Sequence, residues 1–176
     1  MIIEAMRIDP PYDGEYRERI YDIRSVWNSS DWTWIRFTED DGEEWCGEFR
    51  GEYKGAVVSD KLGVAVVLTS DHMYMLDIKD AEITDCLSQP DYEDIACSPL
   101  GDIFMTDGYR LEMLTGNRIA RRKSIPTPVR PDSLRFSEWK GSVLKMTCDT
   151  LLDWDRGWEM RELFLDSVSL QWSEHA

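Results

Sequence analysis

One unit recurs three times along this chain and restricts the fold more than any other feature. An apolar strand end meets Ser, a short turn, Gly, a second apolar strand, and then Thr with Asp close behind. The first copy is Ala56-Val57-Val58-Ser59 followed by Gly63-Val64-Ala65-Val66-Val67-Leu68-Thr69 and Asp71. The second is Ile95-Ala96-Cys97-Ser98 with Gly101-Asp102-Ile103-Phe104-Met105-Thr106-Asp107, and the third is Leu134-Arg135-Phe136-Ser137 with Gly141-Ser142-Val143-Leu144-Lys145-Met146-Thr147 and Asp149. The glycines lie 38 and 40 residues apart. Ser offers the turn a side-chain hydrogen bond and Gly takes a backbone angle that bulkier residues resist, so each unit predicts one β-hairpin. Another apolar stretch follows in the first two copies, Met73 to Ile78 and Tyr109 to Leu114, the latter ending at the polar turn Thr115-Gly116-Asn117. Two hairpins thus fill each period.

Half a period appears earlier. Arg36-Phe37-Thr38-Glu39-Asp40-Asp41-Gly42 is similar to Arg135-Phe136-Ser137-Glu138-Trp139-Lys140-Gly141, and it runs into a segment where Trp45, Gly47 and Phe49 alternate with charged or small residues as in a half-exposed strand. The ends are ambiguous. Tyr16, Ile20, Ile23 and Trp27 fit a helical stripe, but Tyr21, Ile23, Ser25 and Trp27 also alternate as a strand; Met160, Leu163, Phe164 and Val168 pose the same choice, so one short helix is allowed.

A period near 40 residues holding four short strands is the spacing of a β-propeller blade. From Cys97-Ser98-Pro99-Leu100-Gly101-Asp102 through Thr106-Asp107-Gly108-Tyr109-Arg110-Leu111, within a repeated region of residues 55 to 165, the chain resembles propeller repeats of the WD40-like kind. That family's Gly-His and Trp-Asp signatures are missing, since Trp154-Asp155 stands in the wrong relation to any Gly-His pair. The resemblance implies about four blades at most. The predicted fold is therefore all-β and mostly antiparallel, made of repeated four-stranded meanders in a small or partial propeller-like arrangement. The alternative is a β-sandwich with one short helix.

The 176 residues, with no long Pro/Gly/Ser-rich linker, predict a single domain over 1–176, and 42% hydrophobic content with eight tryptophans supplies a core. The opening residues have no basic region, long apolar run or small-residue cleavage site, and no window approaches 18 uncharged apolar residues. A cytoplasmic, non-membrane protein is expected. Cys46, Cys86, Cys97 and Cys148 form no CxxC pair and read as buried free thiols. Formal charge is −15, although residues 118 to 135 contain Arg118, Arg121, Arg122, Lys123, Arg130 and Arg135 against one acid, Asp132. Such a field repels nucleic acid and anionic lipid and attracts cationic partners.

Catalytic signatures are scarce. His72 lies beside an apolar strand and His175 near the end of the sequence, with no Gly-x-Ser-x-Gly elbow for either to serve. Phosphate-binding glycine loops are missing, because Gly42, Gly47, Gly51 and Gly55 fall within predicted hairpins. Asp153-Trp154-Asp155-Arg156-Gly157-Trp158-Glu159 is similar to a calcium loop but has Gly at the third ligand position, and it reads as a turn. No metal or cofactor is expected.

What remains is acid beside aromatic. Asp40, Asp41, Glu43 and Glu44 sit at a predicted hairpin tip with Trp32, Trp34, Trp45 and Tyr53 flanking it, and Asp91, Tyr92, Glu93 and Asp94 precede a predicted strand. Aromatic anchors ringed by charge are the composition of binding hot spots, and opposite charge speeds encounter with a basic protein. The leading expectation is a non-catalytic interaction module for a basic partner protein, of the inhibitor or immunity type. A carbohydrate-binding or glycoside-processing β protein is the second reading, using Trp faces and paired carboxylates. A homo-oligomeric scaffold joined through strand edges is the third.

Overall fold

The computed structural model describes residues 1–153 and 157–173. Trp154, Asp155 and Arg156 of the Asp153–Glu159 segment, together with His175, therefore lie outside the described residues. No helix occurs among those described, so none there is long and apolar enough to cross a membrane. The chain is all-β, and its described residues form sixteen strands in four four-stranded sheets, none of them closed into a barrel.

Three sheets are meanders. Strands β5 (Tyr53–Ser59), β6 (Val64–Thr69), β7 (His72–Asp77) and β8 (Ile83–Ser88) pair in chain order, as do β9 (Asp94–Cys97), β10 (Ile103–Thr106), β11 (Leu111–Leu114) and β12 (Arg122–Ile125). The last sheet holds β13 (Asp132–Lys140), β14 (Val143–Asp153), β15 (Gly157–Asp166) and β16 (Trp172–Ser173). The first sheet differs. Its strands β1 (Ile2–Ile8), β2 (Arg17–Tyr21), β3 (Trp32–Glu39) and β4 (Glu44–Arg50) pair in the order β1-β3-β4-β2, with β2 parallel to β4 and at an edge.

The recurring punctuation performs its expected job in two copies. Ser59 Oγ accepts the Leu62 N–H at 3.0 Å, and Ser98 Oγ accepts those of Leu100 at 3.2 Å and Asp102 at 3.0 Å. In the third copy Ser137 lies exposed inside β13, and the chain turns only after Lys140. The turn glycines Gly42, Gly63, Gly101 and Gly141 all have left-handed φ, between 59° and 87°. Neither ambiguous segment is helical. Residues 143–153 and 157–166 form one long β14–β15 ladder, which buries Leu163, Phe164 and Leu165 in succession and leaves Met160 and Val168 exposed, so the apparent helical stripe never forms a face.

Two compact units are present: Met1–Pro90 with Gly116–Ala120, and Asp91–Thr115 with Arg121–Ala176. In the first unit Phe37 stacks on Trp45 (centroids 4.5 Å apart), Tyr21 stacks on Phe49 (4.6 Å), and Phe49 meets Tyr74 edge-on (5.1 Å). Each such buried aromatic contributes roughly 1.5–3 kcal/mol by removal from water. The half-exposed alternation expected around Trp45 gives way to a run in which Trp45, Cys46 and Gly47 are all buried, because β4 is an interior strand with β3 and β2 on either side. A Cβ on Gly47 would sit 2.7 Å from Phe49 and 2.9 Å from Phe37, so the rings close over bare backbone.

A polar knot joins the first two sheets. Thr69 Oγ1 lies 2.7 Å from the Arg50 carbonyl, to which it donates, and accepts the His72 N–H at 3.0 Å; Thr33 Oγ1 donates to the Gly51 carbonyl at 2.8 Å; and the buried Asp71 carboxylate accepts the Ser29 N–H at 2.6 Å. These contacts satisfy backbone groups that would be costly to bury unpaired. The second unit has its own cluster around Phe104, Leu111, Leu134, Leu144, Met146 and Leu165. There Asp94 accepts the Phe136 N–H at 2.9 Å, and burial pushes its carboxyl above the ordinary range.

Candidate functional site

Strand alternation in the first sheet sends Thr33, Ile35 and Phe37 of β3 into the core and leaves Trp32, Trp34, Arg36 and Thr38 on the outer face. Register fixes their neighbours there. Trp32 lies opposite Arg50, Trp34 opposite Glu48 and Ile8, and Arg36 opposite Cys46 and Met6, while Thr38 faces Glu44; on the far side of β4, Glu18 pairs with Cys46 and Ile20 with Glu48. The face therefore interleaves half-buried tryptophans with carboxylates.

Its electrostatics follow from that crowding. The Arg50 guanidinium lies 3.8 Å from the Trp32 ring centroid and donates twice to Asp22, at 2.9 and 3.1 Å, an arrangement that holds the Asp22 carboxyl below its usual range. Glu48 moves the other way: burial, and then the nearby Glu18 carboxylate, raise it. Burial chiefly, with Glu48 and Glu18 adding, pushes the Cys46 thiol up to about 11. Arg36 reaches Glu44 at 3.4 Å. At the end of the same β3–β4 hairpin Asp40, Asp41 and Glu43 are exposed; Asp41 accepts the Glu43 N–H at 3.0 Å, and Asp40 accepts a hydrogen bond from the Met1 amine.

The other sequence-predicted residues are distributed more widely. Trp45 is only 1% exposed and points into the core, beneath the face that carries Trp32 and Trp34. Tyr53 is half-buried on β5 with the Arg7 guanidinium 5.1 Å from its ring. Asp91, Tyr92, Glu93 and Asp94 belong to the second unit. Tyr92 is buried and donates to Glu112, which also pairs with Arg122 at 3.1 Å; Glu93 lines a groove of about 230 Å³ with Asp107, Tyr109, Asp132 and Arg135. Within the basic stretch, Arg122 and Lys123 belong to β12, and Arg118 donates to the Thr84 carbonyl.

Sequence reasoning missed Glu18, Ile20, Asp22, Glu48 and Arg50. Glu48 and Arg50 were within reach, because Glu44, Cys46, Glu48 and Arg50 share one face of β4 by simple alternation. The three others arrive through a parallel strand that no hairpin signal announces. A groove of about 540 Å³ follows this strand, lined by Arg19, Ile20, Tyr21, Asp22 and Ile23 on one wall and Ala81, Glu82 and Ile83 on the other.

Elsewhere, His72 is fully buried, its Nδ1 is 3.4 Å from the Tyr74 hydroxyl, and burial lowers its pKa despite the neighbouring Asp71 and Asp22 carboxylates. All four cysteines are unpaired, and burial raises Cys86 and Cys97 to about 11 as well. Among the described residues no three His, Cys, Asp or Glu side chains converge in a metal-holding arrangement. Compared with known proteins, the chain matches no protein-family model and no curated sequence.

Proposed function

We propose that this chain is a non-catalytic, acidic interaction module that binds a basic partner protein, and within that class an inhibitor or immunity-type protein that masks a toxic cationic partner in the cytoplasm. The observation that carries this reading is the outer face of the first sheet, where Trp32 and Trp34 stand among Glu18, Glu44 and Glu48 and the β3–β4 tip adds Asp40, Asp41 and Glu43. Half-buried aromatics lose little entropy on binding, and a carboxylate rim both steers a cationic protein and penalises an anionic one. The surrounding field has the same sign, since residues 1–90 hold nine basic and twenty acidic side chains, a net of −11. Unpaired thiols suit a reducing compartment.

Co-expression with the products of adjacent genes, followed by isothermal titration of whatever co-purifies, tests the reading. A stoichiometric complex with a basic protein, weakened at least about tenfold by Trp34→Ala or by Glu44→Lys, is the expected outcome. Exclusive recovery of acidic partners overturns it.

A further inference from the structure

We propose that the open edge of β2, with the groove beside it, takes up an extended basic segment of the partner by β-strand addition. The inference rests on the reading above and specifies how the partner is held. β2 is the terminal strand of its sheet, paired only with β4 in an unbroken register from Arg17↔Trp45 to Tyr21↔Phe49. Backbone groups of alternate residues on such a strand point away from the sheet and offer a template to another chain. Of the features that guard an edge against pairing, β2 has the charged side chains Arg17, Glu18 and Arg19 but no proline and no bulge. Its two arginines are turned to other work: Arg17 reaches Glu39 at 3.6 Å, and Arg19 donates to the Asp80 carbonyl at 2.6 Å.

The groove gives the edge a shape and a charge. Tyr21 donates its hydroxyl to the Ala81 carbonyl at 2.9 Å, which together with Arg19 fixes the far wall to the strand. Between the walls Ile20 is 66% exposed and Ile83 38%, with Ile23 half-buried, while Glu82 supplies a carboxylate and Asp22, already paired with Arg50, lies at one end. An incoming strand alternates its side chains, so one that alternates apolar residues with Lys or Arg turns its cations to the face of β2 that carries Glu18 and its apolar residues to the face that carries Tyr21, with Glu82 across the groove adding negative charge. A second copy of this chain is the poorer occupant, because each copy carries −15.

The test uses the intact chain and three labelled eight-residue peptides: alternating lysine and valine, the same peptide N-methylated at alternate amides, and alternating glutamate and valine. Fluorescence anisotropy is expected to show binding of the first alone, weakened about tenfold or more by Ile20→Lys and by Glu82→Lys, both surface changes that near-ultraviolet circular dichroism verifies as folded. Equal binding of the N-methylated peptide overturns strand addition, since it keeps the charge and loses the backbone donors. Concentration-dependent dimerisation through β2, abolished by Ile20→Lys, replaces the partner with a second copy and also overturns it. If a co-purified basic protein binds both variants as well as the unaltered chain, the edge proposal fails while the wider reading stands; if neither that protein nor any peptide binds, both fail.

Discussion

Thr69 shows how much of this fold hangs on single polar atoms. Its hydroxyl ties the end of β4 to the β6–β7 turn, and Gly51 lets it do so: with φ at +104°, a Cβ there would lie 2.7 Å from Thr69 Oγ1 and 2.8 Å from the Asp71 nitrogen. Gly51→Ala is expected to destabilise the first unit by about 2–4 kcal/mol through backbone strain and displaced hydrogen bonds, and Thr69→Val by about 1–3 kcal/mol, both read as lowered urea midpoints. His72 adds a pH dependence whose sign is set by burial. Its folded pKa lies below the ordinary value of 6.5, so the native state binds fewer protons than the unfolded chain. Its stabilising contribution is complete above that value and is lost as pH falls through it toward the folded pKa. Asp94 and Glu48 are raised by burial and act oppositely, favouring the native state at pH values below their folded pKa. Melting temperature is therefore expected to fall between pH 7 and pH 5, with His72→Leu flattening that slope; an unchanged slope in the variant would assign it to other groups.

At the scale of elements, equivalent-looking sequence performs different tasks. Ser59→Ala and Ser98→Ala each remove a turn-capping acceptor and are expected to cost about 0.5–1.5 kcal/mol, whereas Ser137→Ala should stay within about 0.5 kcal/mol because Ser137 sits exposed within β13. Thermal melts of the three variants distinguish these outcomes. The contrast also explains what was legible beforehand. Hairpins β5–β6, β9–β10, β13–β14 and β3–β4 could be read because their punctuation is local: a glycine in the left-handed region must lie where the chain reverses. β1 and β2 could not, since their partners are fixed by long-range register, β2 joining β4 in parallel across 28 residues with β3 between them and no hairpin turn linking the pair. The β15 ambiguity has a similar origin: Leu163, Phe164 and Leu165 are buried in succession where the strand is covered on both sides, so its apolar run has no period of two. The recognition face was half visible for the same reason, with Trp32, Trp34 and Glu44 on readable strands, Glu18 on the unreadable one and Asp22 just after it.

Across the whole molecule, charge is distributed unequally. Residues 1–90 carry −11 of the total −15, and residues 91–176 carry −4 from eleven basic and fifteen acidic side chains. Long-range attraction acts on encounter more than on the bound state, and it fades once the Debye length, about 10 Å at 0.1 M salt, falls below the separation of the charges. Neutralising the exposed tip with Asp41→Asn and Glu43→Gln is therefore expected to slow association with a basic partner about two- to fivefold at low ionic strength while leaving dissociation almost unchanged. Glu138→Gln, an equally exposed loss of charge on β13 of the second unit, should change the rate less. Stopped-flow measurements at two salt concentrations separate the effects: the tip variant's deficit should vanish near 0.5 M salt, because only steering has been removed. A deficit that persists at high salt, carried by faster dissociation, would instead make Asp41 and Glu43 direct contacts and move the centre of the interface from the tryptophan face to the hairpin tip.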